Sequence, residues 1–189
     1  GVVVTNVTVV VDHDAVINIT GPDSRNATLV VNVDGVDYAV NMTNGVGSLT
    51  VKALAIGNYS VAVRYLANDK YVEAVASGWV NVTAKGSSSV EIDVEPVYSV
   101  DDTVVITVRT TNSSGNLVVT INGEKVVLTG GKYTIDKAVN GTYVVVAVLD
   151  GDDDYYGSND TATFEVNKLT PGVVVTNVTV VVDHDAVIN

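Results

Sequence analysis

The chain contains no cysteine. Disulfide staples, thiolate metal sites and cysteine nucleophiles are excluded together, although that alone fixes no cellular compartment. Basic residues are scarce: 10 Lys and Arg stand against 22 Asp and Glu, for a net charge of -12. Such a surface repels a phosphate backbone, which excludes nucleic acid as a natural partner. Long apolar runs are missing as well. A stretch such as 144–148 falls far short of the roughly 20 residues that a membrane-crossing helix needs, so this segment is read as not membrane-spanning. Histidine occurs twice, at His13 and His184. No loop insertion large enough to build a pocket accompanies either one, so a nucleophile activated by an oriented base has no place to form. Carboxylate pairs leave a glycosidase dyad open on composition, but the short loops argue against a substrate cleft. No glycine-rich phosphate loop opens a helix. The expectation is a non-enzymatic protein with no required cofactor.

Valine is what the chain has in abundance, 46 of its 189 residues, with 20 Thr and 9 Tyr. β-branched and aromatic residues in long alternations specify an all-β chain with almost no helix. The first residue, Gly1, falls in mid-pattern without a charged and apolar leader, and the chain reads as a piece of something longer.

Internal repetition decides the organisation. Residues 172–189, GVVVTNVTVVVDHDAVIN, are identical to residues 1–18, a period of 171. Within that period lies a weaker likeness. ATLVVNVDGVDYAV at 27–40 aligns with GNLVVTINGEKVVL at 115–128, Gly57-Asn58-Tyr59 with Gly141-Thr142-Tyr143, and Asp69-Lys70-Tyr71 with Asp153-Asp154-Tyr155. The unit is therefore a pair of diverged domains of about 80 residues, copied together. We read a first domain at 1–84, a linker at 85–89, a second domain at 90–167, a linker at 168–172, and at 173–189 the start of the next repeat. The Gly/Ser-rich first linker should be flexible unless a strand absorbs it, while Pro171 stiffens the second.

Each domain parses into seven strands, at 7–11, 15–20, 27–33, 36–42, 48–54, 58–65 and 77–82, and at 90–94, 103–109, 116–121, 124–128, 132–135, 142–149 and 161–166. Asp34-Gly35 and Asn122-Gly123 suit two-residue type I′ hairpins. Seven strands with this turn spacing predict two tandem immunoglobulin-like Greek-key β-sandwiches, plus the first strands of a third repeat. Tyr59 and Tyr143 sit where a tyrosine corner would pin the loop before the sixth strand, or where a plain buried aromatic would lie.

GNYSVAVRYLANDKYVEAVASGWVNV at 57–82 and GTYVVVAVLDGDDDYYGSNDTATFEV at 141–166 resemble the closing strands of bacterial-type Ig-like repeats in the adhesin-like cell-surface proteins of methanogenic archaea. NITGPDSRNATLVVNVDG and LVVTINGEKVVL resemble their middle strands. The resemblance covers about 165 residues. That family favours a Gly-Asp-x-x-Tyr loop; the second domain keeps Gly151, Asp152 and Tyr155, whereas the first has Ala67 and Asn68, which weakens any role for the loop beyond packing Tyr71. The resemblance implies an extracellular stalk or filament unit at the cell surface and no catalytic residues.

Ten Asn-x-Ser/Thr sequons occur, at Asn6, Asn18, Asn26, Asn41, Asn58, Asn81, Asn112, Asn140, Asn159 and Asn177. With 17 Asn and 31 Ser and Thr, chance would supply about three. Alternating Thr-rich strands account for part of the excess, and a glycosylated exterior for the rest. Asn26, Asn112 and Asn159 fall in predicted loops and are the preferred acceptors; Asn18 and Asn58 adjoin strands. Asp150, Asp152 and Asp154 place three carboxylates at i, i+2 and i+4, a possible Ca²⁺ site set against a solvated acidic loop. Asp12-His13-Asp14 is read as the turn between the first two strands rather than a metal site.

Two function classes follow. The first is a stalk or filament module whose partners are copies of itself end to end. The second is a module that binds a host or cell-surface glycan or protein through exposed aromatics of the first domain, namely Trp79 with Tyr65, Tyr71 and Tyr38. The duplicated end carries its own expectation. A two-stranded start of a domain is marginal alone and exposes an edge, so a fibre contact should order it, with Val178–Val182 as a strand in the conformation of 7–11.

Overall fold

A strand in which valine alternates with threonine, asparagine or serine presents one apolar face, and that face must be covered. The chain meets this demand twice. In the computed structural model, which describes residues 1–175 and 177–183, the described residues are organised as sixteen strands. The first eight are β1 (Val3–Val4), β2 (Val7–Val10), β3 (Ala15–Thr20), β4 (Ala27–Val33), β5 (Val36–Met42), β6 (Val46–Val51), β7 (Gly57–Tyr65) and β8 (Ala74–Thr83). They form two sheets, ordered β1-β3-β6 and β2-β8-β7-β4-β5.

The next eight are β9 (Ser89–Asp93), β10 (Val97–Ser99), β11 (Val104–Thr111), β12 (Leu117–Ile121), β13 (Glu124–Val126), β14 (Lys132–Ile135), β15 (Gly141–Leu149) and β16 (Ser158–Asn167). Their sheets repeat the same order with every label raised by eight. Both sandwiches are thus all-β and immunoglobulin-like, as expected. By proximity the chain divides into two compact units. One comprises Gly1–Ser89 with Thr110–Leu117 and Leu149–Ser158; the other comprises Val90–Arg109, Val118–Val148 and Asn159–Asn189.

Strands 15–20, 27–33, 36–42 and 132–135 lie where the alternation puts them. Each sandwich nonetheless has eight strands, not seven, because its opening segment is split between two sheets. In the first, β1 pairs antiparallel with β3, and after Thr5-Asn6 the chain crosses so that β2 runs parallel to β8, with Val7 opposite Val80. In the second the crossing falls at Glu95-Pro96, where proline has no N–H to give a ladder and β10 runs parallel to β16. In the first sandwich the crossing shifts the alternation by one residue: Val2 and Val4 pack on the core before Thr5-Asn6, and Val7, Val9 and Val11 after it. The predicted strand 48–54 ends early, at Val51, before Ala53 with its positive φ of 55°.

The hairpin turns are of the expected kind. Asp34 and Gly35 have φ of 48° and 92°, and Asn122 and Gly123 have 51° and 85°, the paired positive values of a type I′ turn. The tyrosine corners are also present. Tyr59 Oη donates to Ala55 O at 2.9 Å and Tyr143 Oη to Val139 O at 3.1 Å, each carbonyl four residues upstream. The predicted flexible linker 85–89 is instead held along its length. Ser89 opens β9, Gly86 N donates to Asp154 O at 2.8 Å, and Tyr156 N donates to Gly86 O at 2.9 Å. Ser88 Oγ donates to Tyr156 O at 2.6 Å.

Ile17, Leu29, Val31, Val63 and Val80 are fully buried in the first sandwich, each contributing about 1.5–3 kcal/mol by burial alone. In the second, Phe164 is the largest fully buried side chain; it stacks on Tyr143 at 4.7 Å and meets Tyr98 edge-on at 5.6 Å. Among the described residues no polar or charged residue is fully buried.

The duplicated end departs from expectation. Residues 178–182 are not a strand, and Val174 and Val181 are 85% and 76% exposed. The partners of the identical opening segment, β3, β6 and β8, all lie within 15–83. Residues 176 and 184–189, including Thr176 and His184, lie outside the described residues. Substituting Phe164→Ala should lower the urea-unfolding free energy by about 3–5 kcal/mol, and Tyr143→Phe, which removes only the corner hydrogen bond, by about 1 kcal/mol. Equal losses from the two variants would show that the corner contributes more than its hydrogen bond.

Candidate functional site

Three features carry the sequence-derived candidates: the acidic loop after β15, the sequon asparagines and the aromatic residues of the first sandwich. In the loop, Asp152 is enclosed by donors. Its Oδ2 accepts from Ser114 N at 2.7 Å and Ser114 Oγ at 2.9 Å, and its Oδ1 from Asp154 N at 3.0 Å and Tyr155 N at 2.8 Å. The Ser114 N–H, with the other donors, holds this carboxyl down at about 2, against a desolvation that raises it.

The three carboxylates are not gathered for a cation. Asp152 is taken up by its own loop and by Ser114, while Asp154 Oδ1 lies 3.7 Å from His13 Nε2. Lys85 Nζ donates to Asp152 O at 2.9 Å. Asp150 takes part through its backbone, its carbonyl accepting from Ser113 Oγ at 2.8 Å. Among the described residues no group of three or more His, Cys, Asp or Glu is arranged to hold a metal ion. The i, i+2, i+4 spacing aligns side chains on a strand, and this segment is a turn.

The first sandwich shows what Asp152 does. Asn68, its counterpart by alignment, accepts from Lys70 N and Tyr71 N, both at 2.9 Å, the same turn built with a neutral acceptor. Tyr71 Oη and Lys70 Nζ each donate to Asp23 Oδ2 at 3.1 Å, and Arg25 Nε lies 3.1 Å from it. Desolvation raises the Asp23 carboxyl, but the Lys70, Arg25 N–H and Tyr71 hydrogen bonds outweigh it and the net shift is downward. His13 follows the turn after β2, its N donating to Val10 O at 3.1 Å, as the turn reading requires.

The sequons separate by what their amides already do. Asn112 Nδ2 donates to Ser87 O at 3.0 Å and Asn140 Nδ2 to Val166 O at 2.7 Å, so the nitrogen that would accept a sugar is committed in both. Asn6, Asn26 and Asn41 use their oxygens, accepting from Trp79 N, Asn44 N and Thr28 Oγ1 respectively. Asn18, Asn58 and Asn81 lie on β3, β7 and β8, and among the described residues no hydrogen bond engages their side-chain amides. Asn159 lies in β16 rather than a loop and is exposed, and Asn177 is also exposed.

The aromatic group does not form. Tyr65 is 3% exposed and packs in the core, with Tyr71 edge-on at 6.3 Å; Tyr38 is partly buried against the same core. Trp79 alone faces outward, 43% exposed, in a shallow open depression that it lines with Asn58 and Asn81. Register explains the grouping, because Asn58 stands directly opposite Asn81 and Ser60 opposite Trp79.

No family profile and no curated protein sequence matches the chain. Its strand order and pairing define a tandem of two immunoglobulin-like β-sandwiches. Similar solved structures include fibronectin(III)-like modules of Clostridium thermocellum CbhA, at 16% identity and TM-score 0.39, covering 89% of this chain and 95% of that one. A chimeric titin Z1Z2 is similar at 16% identity and TM-score 0.43, covering 90% and 97%. Murine CEACAM1b follows at 11% identity and TM-score 0.33, covering 89% and 100%. Likenesses of this size carry no functional argument.

The Asp152 turn has a pH signature. A carboxyl held at about 2 when folded, against 3.8 as its ordinary value, adds stability that is full above about pH 4 and is lost as the pH falls toward 2. Asp152→Asn should therefore be less stable than the parent at pH 7, and the difference should shrink between pH 4 and pH 2 in urea titrations. A difference that stays constant across that range would show that the carboxylate charge is immaterial to the turn.

Proposed function

We propose that this chain is a non-enzymatic structural module of a secreted cell-surface protein, a stalk or filament unit in a tandem array of such pairs. The single observation behind the reading is the combination of two sandwiches of the same strand order with an 18-residue sequence that returns unchanged after 171 residues. Repeated sandwiches add length without new chemistry. Neighbouring repeats along one chain are the natural partners, each starting where the last stops. A net charge of -12 keeps parallel stalks apart, and the sequon excess favours a glycosylated exterior. Among the described residues no helix is long and apolar enough to cross a membrane, so an anchor of that kind is not assigned to them.

A second reading, a module that binds a glycan or protein through the face of its first sandwich, keeps support from Trp79 only, since Tyr65 is buried and Tyr71 packs edge-on against it with its hydroxyl held by Asp23. Antibodies raised against the chain should label intact cells of the source organism, and external protease should remove the label. Label that appears only after permeabilisation overturns the surface reading. On a glycan array the unmodified chain should show no signal that Trp79→Ala abolishes; such a signal would favour the binding module.

A further inference from the structure

The outward face of the five-stranded sheet of the first sandwich places two sequons, Asn58 and Asn81, beside the only tryptophan in the chain, and a third, Asn6, reaches that residue's backbone. Asn81 follows Trp79 by two residues on β8 and therefore shares its face. Asn58, directly opposite Asn81 on β7, is the diagonal neighbour of Trp79, at the roughly 7–8 Å spacing that an aromatic side chain spans. Asn6 immediately precedes β2, and its Oδ1 accepts from Trp79 N at 3.1 Å.

These three asparagines are not equivalent. Asn6 is held against the backbone of β8 through its Oδ1. Asn81 is half-buried in an interior strand, between Thr8 of β2 and Asn58 of β7. Asn58 is exposed and has a neighbouring strand on one side only, because β4 has already ended at Val33, opposite Val61. Its backbone is held by the adjacent Tyr59 corner. The result is an accessible amide on a fixed backbone beside an uncovered indole.

We propose that Asn58 carries an N-linked glycan whose first sugar lies on the exposed ring of Trp79. This rests on the extracellular reading above. In the transfer, Asn58 Nδ2 forms a bond to C1 of the first sugar of a lipid-linked glycosyl phosphate donor. The bond from C1 to the phosphate oxygen breaks, the lipid phosphate departs with its electron pair, and one amide proton passes to a base of the transferase. The apolar face of the sugar then covers the electron-rich face of the indole, which removes both from water. Directly opposed side chains stand only about 4.5–5.5 Å apart, so the pair has room for one such sugar and Asn81 stays unmodified beside it. A covered Trp79 is closed to outside ligands.

The lone tryptophan makes the test direct. The 189-residue chain, secreted from a glycosylating host, is mapped by glycopeptide mass spectrometry, and its tryptophan fluorescence is followed with acrylamide before and after enzymatic sugar removal. We expect sugar on Asn58 and none on Asn81, and quenching that rises about twofold on removal as the ring returns to solvent. Asn58→Gln should show the raised quenching from the outset, and Asn81→Gln should behave as the parent.

Sugar on other sequons with Asn58 bare, or a modified Asn58 whose removal leaves quenching unchanged, overturns the proposal while the surface reading stands on its own labelling result. A secreted chain without sugar on any sequon overturns it too.

Discussion

Every strand in this protein has an apolar face only because alternate residues point the same way, and that face is stable only under a second sheet. The rest of the structure follows from this requirement. Ile17, Leu29, Val63 and Val80 close the first core, and Val104, Ile106, Val145 and Phe164 the second. Valine suits the task because its branched Cβ is already restricted in an extended chain and loses little more on packing. At the corners Tyr59 and Tyr143 tie the loop before the long strand to a carbonyl four residues back.

The second recurrent device is a side-chain oxygen that organises a loop. Asn68 and Asp152 each accept two successive loop N–H groups, and Asp152 takes two further donors from Ser114. The neutral and charged versions build the same turn, so the need is for an acceptor; the charge adds strength at the cost of sensitivity to acid. Seen this way, the acidity of 150–154 serves the loop itself. Its carboxylates diverge toward different neighbours, among them Ser114 for Asp152 and His13 for Asp154.

With cores and loops accounted for, the outward faces hold what function the molecule has to offer. Alternation sends asparagine, serine and threonine to these faces at intervals of two, the spacing of a sequon, so the same pattern that builds strands also produces potential acceptors. Tertiary structure separates them. Asn112 and Asn140 give their amide nitrogens to backbone carbonyls, while Asn58 stands beside Trp79 with its amide open. Sequence order put Trp79, Tyr65 and Tyr71 in one group, and strand parity divided it, because Tyr65 points into the core and Trp79 away from it.

The strands, the two type I′ hairpins and the tandem of two sandwiches were legible in the sequence, since each depends on side chains within a few residues of one another. The splitting of β1 from β2, the fixing of 85–89 and the fate of each sequon were not, since each depends on a partner distant along the chain. The duplicated segment separates the two kinds of information. Asp12 and Asp183, the same residue in two copies, both adopt a positive φ, 73° and 71°, so the local turn belongs to the sequence. Val7–Val10 is a strand and 178–181 is not, although their residues are identical. A turn closes on its own neighbours, whereas a strand needs another strand to receive its hydrogen bonds, and for the first copy that strand is β8.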